Sequence, residues 1–338
     1  MNSIQAIRTL IDENPFWLAP MAGVNDAVFR GICKRMGAGL SYTEMISATG
    51  LYHHADSIAS QRLLCCAESE TTIAVQLFGS DPRILAQQAR VVVDRLSERT
   101  VVIDINMGCP VSKVVRKGEG SALMEDPARA REIVKRTVAS LEGRNPVTVK
   151  MRRGFTSGKE TAVDFALTLA QAGASALAVH GRYADQFYRG LSDRGVITRV
   201  KHAVAVPVIG SGDVMNASHA LDMIAPVERG GGGADAVMVA RGAQGNPWIF
   251  AQIRALRSGA EPHEPTADEI FTILLEHARG MRETFGQKSL TRMRKHASWY
   301  CRSLPGASRF RAQINALETM EDLETLVVAF RDHLSTHA

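Results

Sequence analysis

Short apolar segments alternate with longer amphipathic segments along the first three quarters of the chain. The apolar runs span three to five residues rich in Val, Ile, Leu and Ala, which predicts β-strands. Segments 81–96, 127–141 and 160–172 repeat apolar residues at helical spacing and are long enough to connect parallel strands. The predicted strands are residues 17–19, 40–43, 73–77, 101–105, 147–151, 176–179, 206–209 and 236–239. Eight such units predict an α/β fold, a closed TIM (β/α)8 barrel.

The residues best suited to binding or catalysis follow these strands directly. In a parallel barrel the carboxyl ends of all strands meet at one mouth, where barrel enzymes build their sites. An open dinucleotide-binding sheet is the alternative, but it requires a GxGxxG turn after the first strand, and the sequence APMAG at 19–23 does not supply one. The strand-end residues are Pro20, Met21, Glu44, Gln76, Asn106, Lys150, Arg152, His180, Gly210, Ser211, Gly212, Asp213 and Arg241.

The pattern changes after Phe250, where strand-like segments stop. A connector containing glycine and proline covers residues 258–265, and the sequence TADE at 266–269 has the form of a helix capping box. The remainder has helical spacing. The sequence therefore predicts a barrel domain at residues 1–255 and a smaller all-helical domain at 266–338. The glycine run 230–233 precedes the eighth strand, at the end of the barrel opposite the mouth, and is predicted to be a loop that binds no phosphate.

Composition narrows the class of protein. The five cysteines form neither a paired secretory pattern nor a CxxC metal motif, so we expect a cytoplasmic protein without a bound metal. No stretch reaches the roughly 20 apolar residues of a membrane span, and the polar amino terminus predicts no signal peptide. The net charge of +5 suits a polyanionic partner, although the excess is small. We take a monomer as the default.

Cys109 lies in the sequence NMGCP at 106–110, where the fourth strand ends. These turn-forming residues predict a loop that faces the barrel mouth. A thiol has an unperturbed pKa near 8.5, so at neutral pH it is mostly protonated and can act as a general acid or, when ionised, as a nucleophile. The alternative is that Cys109 is a small buried apolar residue, which is the interpretation we give to Cys33, Cys65, Cys66 and Cys301.

Lys150 and Arg152 lie two residues apart on the fifth strand, so both side chains point to one face, which in a closed barrel is the interior. Two enclosed cations predict an anionic ligand, unless both simply extend past the rim into water. The turns Gly210–Asp213 and Ala240–Gly242 follow strands seven and eight, where barrels bind phosphate through backbone N–H groups. His180, followed by Gly181 and Arg182, ends the sixth strand and is either a structural residue or a ligand contact.

Basic residues accumulate in the helical tail with few acidic neighbours. Trp299 and Tyr300 lie among them, and the combination is typical of an RNA-binding surface. An ordinary solvated helix face is the alternative, although such faces usually mix charges. The basic residues are Lys288, Arg292, Arg294, Lys295, Arg302, Arg309 and Arg311.

These stretches together resemble the tRNA-dihydrouridine synthases, and among them the bacterial B-type subfamily, over nearly the whole chain. The sequences that carry the resemblance are LAPMAGVNDAVFR, GAGLSYTEMI, VQLFGSDP, DINMGCP, KGEGSALM, VKMRRGF, VHGRYADQFYRG, ARGAQGNPWIF and MRKHASWY. The resemblance implies an FMN-binding barrel and a helical domain that grips tRNA. It also implies reduction of the uridine C5=C6 bond, with NADPH as the source of electrons.

By position, the resemblance assigns Cys109 as the proton donor to uracil C5, while hydride passes from flavin N5 to C6. The substrate-binding residues are expected to be Asn106, Arg152, Arg182, Arg292, Arg294 and Lys295. The expected flavin contacts are Pro20, Met21, Ala22, Gln76, Lys150, His180, Ser211, Gly212, Asp213, Ala240 and Arg241.

The sequence departs from the expected family pattern at Ser211 and Ala240, where Asn and Gly are expected, and the loop 230–233 looks inserted. Phosphate binding there would use backbone groups, so these changes leave the assignment in place. Two other functions remain open. One is a flavin barrel acting on a free pyrimidine, as dihydroorotate dehydrogenases do, and the other is a tRNA-binding protein without catalysis.

Overall fold

Eight parallel strands form the centre of the structure, a computed structural model that describes residues 2–96 and 99–337. Their hydrogen-bonded order is β1, β8, β7, β6, β5, β4, β3, β2. The strands are β1 (Phe16–Leu18), β2 (Ile46–Ser47), β3 (Ile73–Phe78), β4 (Thr100–Met107), β5 (Val147–Gly154), β6 (Ala176–Tyr183), β7 (Val208–Ser211) and β8 (Ala236–Val239).

Segment 40–43 closes this sheet into a barrel. Ser41 pairs with Leu18 of β1, and Tyr42 pairs with Ala74 of β3, both in parallel orientation. The sequence predicted a regular strand here, and the structure has isolated bridges instead. The reason is that side chains take over part of the ladder: Asn25 Nδ2 donates to the Tyr42 carbonyl, and Thr43 Oγ1 accepts from the Gln76 amide. The predicted (β/α)8 barrel is confirmed.

Helices pack around the barrel, and further helices follow the last strand in the chain. None of the described helices combines the length and the apolar character needed to cross a membrane. The helices are α1 (Ser3–Glu13), α2 (Ala27–Arg35), α3 (Ala48–His54), α4 (Ile58–Leu64), α5 (Pro82–Leu96), α6 (Ser112–Val115), α7 (Pro127–Leu141), α8 (Ala162–Gln171), α9 (Arg194–Ala203), α10 (Ala217–Ile224), α11 (Ile249–Arg257), α12 (Ala267–Phe285), α13 (Leu290–Tyr300), α14 (Ala307–Ile314) and α15 (Met320–His337).

Helix α7 illustrates how local sequence forms the outer layer. Asp126 caps its first turn by accepting a hydrogen bond from the Arg129 amide, and Pro127 occupies a first-turn position where the missing N–H costs nothing. Its buried face carries Ala130, Ile133 and Leu141 at helical spacing, while charged residues face solvent. The helix therefore has one apolar face to place against the barrel.

Side chains inside the barrel lie in layers set by strand register. Partners in register point to the same side, so Gln76, Asp104 and Thr148 from β3, β4 and β5 are side by side. One layer nearer the mouth, Asn106 lies beside Lys150. The apolar part of the interior consists mainly of Trp17, Leu40, Tyr42, Ala74, Val102, Ala176, Ala178, Ile209, Ala236 and Met238. The polar layers therefore lie on the β3 to β5 side, beneath the mouth.

A second hydrophobic core belongs to helices α12 to α15. It is separate from the core around the barrel and contains Phe271, Leu274, Met293, Phe310 and Val327 among its buried members. The predicted capping box opens α12, since Thr266 Oγ1 accepts from the Glu269 amide and the Glu269 carboxylate accepts from the Thr266 amide. A separate core in the helical part matches the predicted division into two domains, whose boundaries stay a prediction.

The barrel and the helical part meet at a closely packed junction. Gly245 has a φ of 69°, and a Cβ there would lie 2.3 Å from the Trp299 backbone, so only glycine permits this approach. Nearby, the carboxylate of fully buried Asp26 lies 3.4 Å from His277 Nε2 and 3.5 Å from His296 Nε2. This cluster offers three ligand atoms, one fewer than a structural zinc site uses, so the expectation of no bound metal stays a prediction.

Candidate active site

A cavity of about 320 Å³ opens at the carboxyl ends of the barrel strands. Its size is in the range of small-molecule and cofactor sites. It is lined by Pro20, Met21, Ala22, Met45, Gln76, Asn106, Cys109, Val111, Lys150, Arg152, His180, Phe187, Tyr188, Ser211, Gly212, Asp213, Met215, Ala240, Arg241 and Gln244, with several apolar neighbours. The structure therefore brings together every predicted flavin contact and the predicted Cys109, Asn106 and Arg152.

The loop that carries Cys109 is held on both sides. Asn106 Oδ1 accepts from the amides of Gly108 and Cys109 at 3.1 and 2.9 Å, and Arg152 Nε donates to the Gly108 carbonyl at 2.8 Å. Beneath the loop, Gly120 has a φ of 62°, and a Cβ there would lie 2.7 Å from the Cys109 carbonyl oxygen. These contacts fix the position of the thiol at the cavity wall.

Burial raises the pKa of the Cys109 thiol above its ordinary value. The amide of Val111 and the charges of Arg152 and Lys150 act in the opposite direction but do not outweigh burial. The group is therefore protonated at neutral pH. A protonated thiol can donate a proton, and it is a weak nucleophile until it ionises.

Lys150 is enclosed in the barrel and has no hydrogen-bond or ion-pair partner among the residues that the structure describes. Burial lowers its pKa to about 8, with the nearby Arg152 guanidinium adding to the effect. Arg152 itself is occupied, since its Nη1 donates to the carbonyls of Tyr183 and Phe187. The free amine of Lys150 is thus a cation that the cavity offers to a ligand.

His180 lies beside these cations and is held neutral. Burial lowers its pKa well below the ordinary value, and the charges of Lys150, Arg152, Arg182 and Arg241 lower it further. Arg182 Nη1 lies 3.3 Å from His180 Nε2, which leaves that nitrogen to accept and puts the imidazole proton on Nδ1. His180 can therefore offer the cavity a neutral ring.

The turn after β7 comes close to its neighbours. Gly212 has a φ of 119°, and a Cβ there would lie 2.2 Å from Ser192 Oγ. Asp213 follows with a φ of 51°, and its carboxylate accepts from Arg182 at 2.7 Å and from Arg241 at 2.8 Å. Similarly, a Cβ at Gly242 would lie 2.4 Å from the Val214 carbonyl oxygen. The two glycine turns predicted from sequence lie side by side at one edge of the cavity.

Comparison with known proteins shows the family of the chain. The family model described as Dihydrouridine synthase (Dus) matches residues 17–335. The chain belongs to the dihydrouridine synthase family. It is 39% identical over 308 residues to tRNA-dihydrouridine synthase B of Pseudomonas aeruginosa, covering 90% of this chain and 89% of that protein. It is 37% identical to probable tRNA-dihydrouridine synthase 1 of Synechocystis, covering 90% of this chain and 84% of that protein.

Solved structures resemble this dihydrouridine synthase family member in fold. A 6-hydroxypseudooxynicotine amine oxidase from Pseudomonas geniculata superposes with a TM-score of 0.56 at 14% identity, covering 81% of this chain and 53% of that one. A histamine dehydrogenase from Rhizobium superposes with a TM-score of 0.54 at 14% identity, covering 79% of this chain and 49% of that one. The chain spans about half the length of each, and the likeness extends to the fold alone.

Four predicted substrate-binding residues of this family member do not line the cavity. Arg182 is buried beneath the wall, where it binds Asp213 and the carbonyls of Arg189 and Gly190. Arg292 of α13 reaches the mouth and binds Glu44 at 2.5 Å. Arg294 donates to the Leu317 carbonyl. Lys295 is exposed on the helical part.

Sequence reasoning missed several residues at the rim. Phe187 and Tyr188 line the cavity yet are 42% and 58% exposed, which is unusual for aromatic side chains, and the Arg241 guanidinium lies 4.9 Å from the Tyr188 ring centre. They belong to the loop after β6, whose sequence YADQFYRG contains the aromatic signal. Met45, Val111 and Met215 complete the rim, and none has a polar group that would have identified it.

The predicted RNA-binding role of Tyr300 is wrong. Tyr300 is only 1% exposed, so it belongs to the helical core and not to an RNA-binding surface.

Proposed function

We propose that the protein reduces uridine in tRNA to dihydrouridine, using FMN bound in the cavity and NADPH as reductant. The observation that carries the proposal is the pairing of a protonated Cys109 thiol with an unpartnered Lys150 amine in one strand-end cavity. A proton donor and a cation next to each other suit a reaction in which negative charge develops and is then quenched by a proton.

The residues present fit a flavin. Gly212 and Gly242 let the turns after β7 and β8 pack closely against their neighbours at one edge of the cavity, the position where barrels bind phosphate through backbone N–H groups. The free amine of Lys150 and the amide of Gln76 supply polar contacts deeper in the cavity. We propose that the flavin is held by Pro20, Met21, Ala22, Gln76, Lys150, His180, Ser211, Gly212, Asp213, Ala240 and Arg241.

In this proposal the bound flavin supplies a hydride to uracil C6. Cys109 Sγ gives its proton to C5 and thereby quenches the negative charge that would otherwise remain on C5 and O4. Lys150 stabilises negative charge through its ammonium group, and Arg152 keeps the cysteine loop in place through the Gly108 carbonyl. Because the thiol is protonated at neutral pH, no prior proton transfer to Cys109 is needed within a turnover.

The surface around the mouth suits an RNA substrate. A stacked base cannot enter a cavity in a barrel, so the target nucleotide must leave its stack. Exposed Tyr188 and Phe187 at the rim offer faces on which neighbouring bases can stack. Exposed Lys288, Lys295, Arg302, Arg309 and Arg311 on the helical part can contact the phosphate backbone. We propose that the protein acts as a monomer in the cytoplasm.

The experiment is to incubate unmodified tRNA with the purified protein, FMN and NADPH, and to quantify dihydrouridine by mass spectrometry of nucleosides. We expect dihydrouridine to accumulate, with NADPH consumed in equal amount. A protein that oxidises NADPH and leaves tRNA unchanged would overturn the tRNA assignment and favour a free pyrimidine substrate. Retention of tRNA without bound flavin or NADPH oxidation would favour a binding protein.

A further inference from the structure

A continuous series of buried hydrogen bonds connects the barrel interior to the loop that carries Cys109. Asp104 is fully buried on β4, and its carboxylate accepts from Gln76 Nε2 at 2.6 Å and from Thr148 Oγ1 at 2.5 Å. Gln76 Oε1 in turn accepts from Asn106 Nδ2 at 2.8 Å. Asn106 Oδ1 then accepts from the amides of Gly108 and Cys109. The series runs from one carboxylate to the backbone of the proton donor.

The two ends of this series decide how both amide groups must point. An ionised carboxylate only accepts hydrogen bonds, and the backbone amides at the other end only donate. Gln76 and Asn106 each have one carbonyl oxygen and one NH2 group. If either amide were reversed, oxygen would face oxygen or NH2 would face NH2, leaving buried polar groups unsatisfied. One arrangement therefore satisfies the whole series, and Asp104 is its fixed acceptor.

The carboxylate remains an acceptor at neutral pH. Burial raises the pKa of Asp104 to about 6, while the hydrogen bonds from Gln76 and Thr148 and the charge of Lys150 limit the rise. Above that pH the group is mainly ionised.

We propose that Asp104 is a positioning residue, which fixes the amide orientation of Gln76 and Asn106 and, through Asn106, the loop that carries Cys109. The same orientation directs the Gln76 NH2 group to Asp104 and the Asn106 NH2 group to Gln76 Oε1 and Met45 Sδ, so Gln76 keeps one further N–H at the cavity wall. A bound ring can place an acceptor atom against that N–H. This inference deepens the proposed function and rests on it for the role of Cys109.

The test compares Asp104→Leu, which removes the acceptor and keeps the branching of the side chain, with Asp104→Asn, whose amide oxygen can still accept from Gln76 while its NH2 faces the Thr148 hydroxyl. Thr148→Val is the matched control, because it removes a neighbouring buried contact and leaves the Asp104–Gln76 hydrogen bond in place. Two readouts are used for each variant. One is the rate of dihydrouridine formation, and the other is the rate of Cys109 alkylation by iodoacetamide, measured by peptide mapping.

We expect Asp104→Leu to slow dihydrouridine formation by about tenfold or more, because small displacements of a reacting group are costly. Alkylation of Cys109 should become about fivefold faster as the loop is released. Asp104→Asn and Thr148→Val should stay within about threefold of the parent protein in both readouts. Equal changes of each rate in Asp104→Asn and Asp104→Leu, or parent-like rates in Asp104→Leu, would overturn the proposal, since amide orientation would then not be what matters.

A double-mutant cycle with Gln76→Leu checks the route. If Asp104 acts through Gln76, adding Asp104→Leu to Gln76→Leu should change the alkylation rate by less than about twofold, whereas independent effects would multiply and refute the route. Should Asp104→Leu lose its cooperative thermal transition, Gln76→Leu alone decides, since it must accelerate alkylation by itself. Alkylation does not depend on tRNA or flavin turnover. An inactive parent protein would therefore count against the proposed function and leave this readout valid.

Discussion

Basic side chains at the barrel mouth and on the helical part have different surroundings. At the mouth, Arg152 and Arg182 are buried and bind loop carbonyls, which leaves Lys150 as an enclosed amine without a partner among the described residues. On the helical part, Arg292 and Arg294 are bound within the protein, while Lys295 and its neighbours are exposed. At the mouth the arginines are bound to neighbouring groups and Lys150 is enclosed, whereas much of the charge on the helices is exposed to solvent. The first suits chemistry, and the second suits contact with a polyanion.

The largest effect is expected at the mouth. Cys109→Ala should lower dihydrouridine formation by about 1,000-fold, because it removes the general acid and leaves the hydride source in place. Bound flavin, quantified by its absorbance, should stay near the parent level. Cys65→Ala, at a half-buried thiol outside the cavity, is the matched control and should remain active. Comparable activity in Cys109→Ala would remove Cys109 from its proposed role.

The residues at the mouth could largely be predicted from the sequence. In a parallel barrel, chain order alone brings all strand ends together, so residues as distant as Gln76 and Arg241 could be assigned to one cavity without knowing any side-chain packing. The predicted strands 73–77 and 236–239 also match the structure closely, since buried strands have a strong apolar pattern. Features that depend on strand order alone can therefore be predicted from the sequence.

Helix packing cannot be read in the same way. The basic residues of α13 occur within about one helical turn, yet their side chains point in different directions, toward Glu44, the Leu317 carbonyl or solvent. Those directions depend on how the second core packs against the barrel, which involves residues far apart in the chain. The hydrogen bonds that Gln76 donates to Asp104 and Asn106 donates to Gln76 were missed for a related reason, because they require the strand register and the amide orientations.

The buried charge of Asp104, one layer beneath the mouth, should also affect the stability of the fold. The pKa of Asp104 rises from 3.8 to about 6 on folding. The folded state therefore binds a proton more tightly, and stability falls as pH rises from about 4 through about 6. As pH rises over this range, the free energy of unfolding of the parent, relative to that of Asp104→Asn, should fall by about 3 kcal/mol. Urea unfolding at a series of pH values measures it, with the exposed Asp12→Asn as control. A difference independent of pH would contradict an enclosed carboxylate.

The pH dependence of flavin binding by Lys150 is expected to be a smaller effect. Here the group loses its charge as pH rises, whereas Asp104 gains one. Its pKa of about 8 means that the ammonium charge is present below that pH and is lost as pH rises through it. Flavin retention during gel filtration should therefore weaken above about pH 8 in the parent protein. Lys150→Met should retain about tenfold less flavin at neutral pH and show no such decline, because the titrating group is gone. Lys159→Met removes an exposed lysine and should behave like the parent. Identical pH profiles for parent and Lys150→Met would show that the amine does not hold the flavin.

The smallest effects are expected on the helical part, where they separate exposed from engaged cations. Lys295→Gln and Arg311→Gln should each reduce the slope of log affinity for tRNA against log salt by about 1, since each removes one phosphate contact. Arg294→Gln should leave the slope unchanged and instead lower the melting temperature by a few degrees, because it disrupts the hydrogen bond to the Leu317 carbonyl. Filter binding at several salt concentrations and thermal melts measure the two effects. If Arg294→Gln flattened the slope as much as Lys295→Gln does, the engaged arginine would have to turn outward on tRNA, and the contrast between the two regions would no longer hold.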